Sequence, residues 1–294
     1  MKTLEGKTLS AEILSRLPAR CEAVKAKRGF SPSLAIVNFY PDSPSGVYAR
    51  RKMASCAKIG INAKLFSPDP ETSYTEFAQL ITKLGNDPAY DAIMIERPLP
   101  KGFDIRRTWE ILPAAKDPDG ISAVNLGRLM MIRKFSELEK EPFFVPCTAL
   151  AVIRLIQYHG IDVAGKNIAV AGRSSIVGKP LALMLNALDA TVTVCHTKTG
   201  NTTEIFKKSD IVISAAGQAK WIKKDMLPEN AILIDVGTNI GEDGKLCGDA
   251  DPECAEKCSA FTPVPGGVGP VTKALLLEAA VKAAEMSLQY EEEK

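Results

Sequence analysis

Apolar and polar positions along the chain fall into two periods. Over residues 8–28, Leu9, Ile13, Leu14, Leu17 and Val24 recur at helical spacing among basic and polar residues, which predicts an amphipathic helix. Short apolar runs at residues 33–39, 61–66 and 91–95 predict strands. Helices are predicted between them, from near Val47 to Gly60 and from Thr72 to Leu84, with Thr72 or Ser73 as the cap of the latter. Strands and helices alternating in this way predict a parallel sheet with helices on its faces, whose ligands gather beyond the strand C-terminal ends. Residues 113–130, rich in Pro, Asp and Gly at the start, read as a long loop or an interdomain crossing.

A second series begins at Pro146. A helix is predicted to about His159, stopped by Gly160. Apolar runs at 167–171, 191–195, 210–214, 231–236 and 259–261 predict a second parallel sheet. A final helix is predicted from Thr272 to about Tyr290, long enough to return to the first domain. The expected fold is therefore α/β: two three-layer α/β domains with a cleft between them, the first formed by residues 1–145 plus 271–294 and the second, a Rossmann-like parallel-sheet domain, by 146–270.

Composition narrows the class. The 294 residues are 46% hydrophobic and 24% charged, as in globular rather than disordered chains. A formal net charge of +2 gives no reason to expect nucleic acid or membrane as partner. No apolar run approaches the roughly 20 residues of a membrane span, and the first residues lack a signal peptide's apolar core. Seven dispersed cysteines fit a reduced, cytoplasmic compartment. Cys247, Cys254 and Cys258 lie close in sequence but not as a C-x-x-C pair, and only His159 and His196 exist, so no metal is expected.

Candidate chemistry centres first on Gly172-Arg-Ser-Ser-Ile-Val-Gly178. It follows a predicted strand and precedes a predicted helix, where free amides and the helix dipole attract a pyrophosphate. Against the common G-x-G-x-x-G pattern, Ser174 and Val177 stand where two glycines would be, so the spacing alone is weak. The next strand ends in His196-Thr197-Lys198. An NAD site wants an acidic residue there for the ribose hydroxyl. Cationic and hydroxyl groups suit a 2′-phosphate, so NADP is expected rather than NAD. In the first half, Tyr48 and Lys52 are four apart on a predicted helix and share a face, just beyond a strand end. A lysine there can serve as acid or base. Short-chain dehydrogenases carry the same Y-x-x-x-K downstream of their glycine turn; here it lies upstream, which argues against them. Asp119, in Lys116-Asp-Pro-Asp-Gly120, could grip an amino-pyrimidine edge, or simply form a turn. Glu96 follows the third strand.

With Tyr48-x-x-x-Lys52, Pro98-Leu-Pro100, Lys116–Gly120, Asn125-Leu-Gly-Arg128, Pro146-Cys-Thr148, Gly172–Pro180, Asp235-Val-Gly237 and Thr262-Pro-Val-Pro-Gly-Gly-Val-Gly-Pro270 in order, the whole chain resembles the bifunctional methylenetetrahydrofolate dehydrogenase/methenyltetrahydrofolate cyclohydrolase family. The resemblance implies NADP-dependent oxidation of 5,10-methylenetetrahydrofolate to the methenyl cation, then hydrolysis to 10-formyltetrahydrofolate. It implies Lys52 as general acid/base and Tyr48 as the ring that stacks on folate and holds the lysine. It also implies Asp119 on the pteridine and Pro98, Leu99, Pro265, Gly266 and Gly267 along the substrate. Arg173 and Thr197 would meet the 2′-phosphate. Thr148, Gly172, Ser174, Ile176, Val177, Gly178, His196, Ala216, Gly217, Val236, Gly237, Thr238 and Gly269 would complete the cofactor site. A homodimer is implied.

The chain departs from the family pattern where Ile95-Glu-Arg-Pro-Leu-Pro100 replaces the usual Val-Gln-Leu-Pro-Leu-Pro. Glu96 would bring a negative charge to Lys52, a site usually completed by glutamine. That leaves a second reading, a monofunctional dehydrogenase with a weakened cyclohydrolase step, and a third, a cofactor-binding sensor without chemistry. Retention of Tyr48, Lys52 and Asp119 counts against the third. Two further departures are Ala149 and Ala151 in place of the family's proline and glycine after Pro146-Cys-Thr148, and Asn38-Phe-Tyr-Pro-Asp42 in place of its usual Val-Gly turn.

Overall fold

The computed structural model describes residues 1–138 and 140–292. In chain order its elements are β1 (Lys2–Thr3), α1 (Lys7–Arg28), β2 (Ser33–Val37), α2 (Pro44–Ile59), β3 (Asn62–Phe66), α3 (Tyr74–Asn86), β4 (Ala92–Ile95), α4 (Ile105–Ile111), α5 (Ala123–Met131), α6 (Phe135–Leu138), α7 (Cys147–Tyr158), β5 (Asn167–Ala171), α8 (Gly178–Ala187), β6 (Thr191–Cys195), α9 (Thr202–Lys207), β7 (Ile211–Ser214), β8 (Ala231–Asp235), β9 (Asn239–Ile240), β10 (Leu246–Cys247), β11 (Cys258–Phe261) and α10 (Val268–Glu292). The expected strands and long helices are all present. Four helices of the described residues lie outside the sequence expectation: α4, α6, α9, and α5, which occupies part of the stretch read as a loop.

The chain forms two compact units, Met1–Ala11 with Leu129–Glu141 and Pro146–Leu275, and Glu12–Arg128 with Pro142–Val145 and Leu276–Lys294. This differs from the division expected at 145/146 and 270/271. Residues 1–11 group with the Rossmann-like unit because β1 pairs in parallel with β11, Lys2 opposite Ala260 and Thr3 opposite Phe261. The amide of Leu4 continues the ladder to Phe261 O at 2.8 Å, and Leu4 is fully buried. A two-residue strand carries too little pattern to be seen in sequence.

The larger unit is built on a parallel sheet in the order β1-β11-β8-β7-β5-β6. Strands β7 and β8 are buried along most of their length, which is why they read as unbroken apolar runs. Phe206, Leu227, Leu233 and Cys254 pack in one core with Ala169 and Val212. The other unit carries the parallel sheet β3-β2-β4. Its β2 is wholly buried, and Val24 of α1 packs with Ala284 and Leu288 of α10. Arg20 of α1 ties those helices further, donating to Glu285 (2.7 and 2.9 Å) and Glu278 (3.0 Å).

Candidate functional site

In the smaller unit the turn between β2 and α2 sets the position of two candidate side chains. The expected helix start was Val47; the observed start is Pro44, because Ser43 caps the helix by accepting from the Ser45 amide and Pro44 stands in the first turn. The Ser43 hydroxyl also donates to Tyr40 O at 2.8 Å. Gly46 passes so close to Pro41 that a Cβ would collide with its carbonyl. On this helix Tyr48 is 53% exposed, and Lys52 points its ammonium to Glu96 Oε1 at 2.7 Å. Met94 Sδ lies 3.7 Å from the same nitrogen. Glu96 follows β4, held by its amide on Val37 O at 2.8 Å. The structure thus joins Lys52 to the glutamate that replaces the family glutamine.

Asp119 stands in the loop beyond α4. That loop is anchored by buried Asp117, whose Oδ2 accepts from the Ser122 amide and Asn125 Nδ2. Lys116 Nζ donates to Asp87 O at 2.7 Å, closing the end of α3. Gly120, at φ +66°, passes against the Val145 backbone where no Cβ would fit. Burial pushes the Asp119 carboxyl up to about 6; Lys52 and Arg97 oppose the shift and Asp117 and Glu96 add to it. Lys52, Glu96 and Asp119 therefore form one electrostatic group. Pro98 is exposed and Leu99 half-buried in the segment after Glu96, and the Arg97–Pro98 peptide is cis.

In the larger unit a cavity of about 370 Å³ opens at the C-terminal ends of β5, β6 and β7, the place expected for a nucleotide on a parallel sheet. Of the expected cofactor residues, Gly172, Arg173, Ser174, His196, Thr197 and Ala216 line it. Thr199, Thr202, Gln218 and Trp221 also line it and were not foreseen, since none belongs to the glycine turn or the strand end. Gly172 has φ +134°, and a Cβ there would collide with Ala215 O, as one on Gly178 would with Gly172 O. The turn therefore needs both glycines although it lacks the usual third. Ser174 Oγ accepts from the amides of Val177 (3.2 Å) and Gly178 (3.4 Å), so it braces the turn that leads into α8. Ile176, Val177 and Gly178 do not line the cavity, nor do Thr148, Gly217, Val236, Gly237, Thr238 or Gly269.

His196 closes a tight turn: its amide donates to Thr199 Oγ1 at 2.9 Å, and its Nδ1 accepts from the Lys198 amide at 3.1 Å. Among the described residues no carboxylate lines the cavity, whereas Arg173 does. The cavity thus fits a dinucleotide bearing a 2′-phosphate.

Pro265, Gly266 and Gly267 belong to this same unit, not to that of Lys52. Gly266 O accepts from the Gly6 amide at 2.9 Å, and a Cβ on Gly6 would collide with Gly267 O. The loop is thus held by the N-terminal segment. Among the described residues no group of three His, Cys, Asp or Glu side chains could hold a metal ion, and none of the seven cysteines is in a disulfide. Among the described residues no helix is long and apolar enough to cross a membrane.

A parallel-sheet nucleotide cavity in one unit and a lysine–carboxylate group at strand ends in the other define a two-unit, dinucleotide-binding α/β enzyme. Residues 146–288 match the NAD(P)-binding domain of the tetrahydrofolate dehydrogenase/cyclohydrolase family, and residues 4–119 match its catalytic domain. The chain is 44% identical to the bifunctional protein FolD of Elusimicrobium minutum, over 97% of this chain and 99% of that one. Among solved structures it resembles the bifunctional FolD enzyme of Campylobacter jejuni (TM-score 0.89, 37% identity, covering 98% and 99% of the two chains). It also resembles the Trypanosoma brucei enzyme complexed with NADP and an inhibitor (TM-score 0.88, 30% identity, covering 98% of each). The chain belongs to the tetrahydrofolate dehydrogenase/cyclohydrolase family.

Proposed function

We propose that this protein oxidises 5,10-methylenetetrahydrofolate to 5,10-methenyltetrahydrofolate with NADP and hydrolyses the product to 10-formyltetrahydrofolate. The observation that carries the reading is the Lys52–Glu96–Asp119 group on one unit of a chain whose other unit holds the nucleotide cavity. When bound, NADP supplies the hydride acceptor. Arg173 and Thr197 hold its 2′-phosphate, and the Gly172–Gly178 turn lets backbone approach its phosphates.

In the smaller unit the exposed Tyr48 ring stacks on the folate, and Asp119 accepts from the amino-pyrimidine edge of the pteridine. In the hydrolytic step water adds to the cationic one-carbon unit; one of its protons is released and the other ends on N5 as the C–N5 bond breaks and the carbonyl forms, leaving the formyl group on N10. Lys52 Nζ, oriented by Glu96 Oε1, is the group that moves these protons. Pro98 and Leu99, on the same unit as Lys52, line the substrate. A dehydrogenase without the second activity, the reading suggested by Glu96, is not favoured: the relatives of about 40% identity carry the bifunctional name. The family resemblance also supports a cytoplasmic homodimer, testable by light scattering.

The deciding experiment is an assay of the purified protein with 5,10-methylenetetrahydrofolate, in parallel with NADP and NAD, following reduced cofactor and methenyltetrahydrofolate separately. NADPH formed without build-up of methenyl product is expected. Methenyl product accumulating in step with NADPH would remove the second activity, and no turnover with either cofactor would overturn the reading.

A further inference from the structure

The loop that follows β7 walls the nucleotide cavity through Ala215, Ala216, Gln218 and Trp221. Loops at this end of a parallel sheet commonly turn their amides toward a ligand anion. Here three successive amides turn instead onto one carboxylate of the chain. Asp249 Oδ2 accepts from Ala216 N at 2.7 Å and Gly217 N at 3.2 Å, and Oδ1 accepts from Gln218 N at 2.9 Å. Gly217, at φ +68°, supplies the left-handed residue that lets consecutive amides converge. The Ser214 hydroxyl donates to Oδ2 at 2.8 Å and Asn239 Nδ2 to Oδ1 at 2.9 Å. With five donors the fully buried carboxylate is saturated without any cationic partner.

The carboxylate is itself fixed from behind. Its own amide donates to Asp235 Oδ1 at 3.0 Å, and Asp235 also accepts from Gly237 and Ala250, each at 2.8 Å. Gly237 and Gly248 are the only residue type that fits beside the two carboxylates, since a Cβ on the first would collide with Asp249 and on the second with Asp235. Lys220 N and Ile222 N donate to Gly248 O and Asp249 O, both at 3.1 Å. The whole wall from residue 214 to 222 is thereby stitched to residues 248–250.

We infer that Asp249 is a positioning residue of the nucleotide site: its carboxylate occupies the anion nest of the loop after β7 and so fixes the wall against which the nucleotide lies. The inference rests on the reading that this cavity takes NADP. Asp249 does not line the cavity, and the loop it holds is neither of the two that bear Arg173 and Thr197. Loss of the carboxylate therefore weakens NADP and NAD alike, whereas loss of Arg173 weakens NADP selectively.

The test is calorimetric titration of the full chain with NADP and with NAD, comparing wild type, Asp249→Asn, Asp249→Ala and Arg173→Ala. Asp249→Ala leaves three converging amides and a hydroxyl without an acceptor, and is expected to raise both dissociation constants by about tenfold or more. Asp249→Asn retains one acceptor oxygen and is expected to fall between it and wild type. Hydrolysis of methenyltetrahydrofolate, assayed without dinucleotide, is the readout that separates positioning from general loss of fold: it should fall by much less than the NADP affinity. Dissociation constants within about twofold of wild type for Asp249→Ala would overturn the inference, as would hydrolysis lost in proportion to binding. If the alanine variant does not fold, an asparagine variant with wild-type affinity overturns it equally. Wild-type protein that binds neither nucleotide would instead refute the cofactor reading on which the inference stands.

Discussion

Lys52 and Glu96 meet at 2.7 Å with side chains 24% and 12% exposed, and both charges act on Asp119, whose carboxyl is raised above all by burial. The Asp119 carboxyl is raised from 3.8 to about 6, with Glu96 among the groups that raise it and Lys52 the foremost that lowers it. Because the folded value lies above the unfolded one, folding favours the protonated acid. The stabilisation is complete below the unfolded value and is lost as pH rises through about 6. Folate binding has the opposite sign, since the ionised carboxylate is the acceptor for the amino-pyrimidine edge. Folate affinity should therefore drop as pH falls through about 6. Glu96→Gln, by removing a charge that raises Asp119, should move that drop to lower pH. A midpoint that stays in place or moves up in a folate-binding titration would refute the coupling. At this scale the sequence was partly readable. Tyr48 and Lys52 stood out by their spacing, and Glu96 as a departure from the family pattern. Asp117 and Asp249 did not stand out, because a buried acceptor of backbone amides looks in sequence like any turn aspartate.

The helix α2 and the turn before β5's helix partner α8 show what local sequence can specify. Ser43 and Pro44 start α2, and the start fixes which way Tyr48 and Lys52 face. Ser43→Ala removes the cap and the bond to Tyr40 O, and should cost about 1 kcal/mol of stability. It should slow hydrolysis while leaving the NADP dissociation constant as in wild type; a parallel loss of NADP affinity would contradict the assignment of these elements to separate units. In the other unit, Gly172→Ala would place a methyl group against Ala215 O at a φ of +134°. Strain of about 1–3 kcal/mol corresponds to an NADP KM raised about 5- to 140-fold, and an unchanged KM would show that the turn is not bound to the cofactor. The glycine turn was legible because strand, glycine and helix follow one another. The rest of the cavity, Thr199, Thr202, Gln218 and Trp221, was not: these residues come together only through the parallel pairing of β5 with β6 and β7.

At the scale of the whole molecule the alternation of strands and helices disclosed two α/β units, yet not that the N-terminal residues group with the second. The N-terminal residues count with the cofactor unit because β1 covers the outer edge of β11 and Leu4 is fully buried beside it. That edge is otherwise a row of unpaired backbone groups. Leu4→Ala removes a fully buried side chain and should destabilise by about 2–5 kcal/mol, in the cofactor unit specifically. Hydrogen exchange should quicken first in β11 and β8, while β2 and β4 keep their protection. NADP at about a hundred times its dissociation constant stabilises the folded state by about 2.7 kcal/mol, and so should restore much of that protection in the variant. Faster exchange in β2 and β4 before β11, or no recovery with NADP, would mean that the N-terminal strand does not serve the nucleotide-binding sheet. Recovery confined to the sheet β1-β11-β8-β7-β5-β6 would tie the first residues of the chain to a cofactor site that lies in mid-sequence.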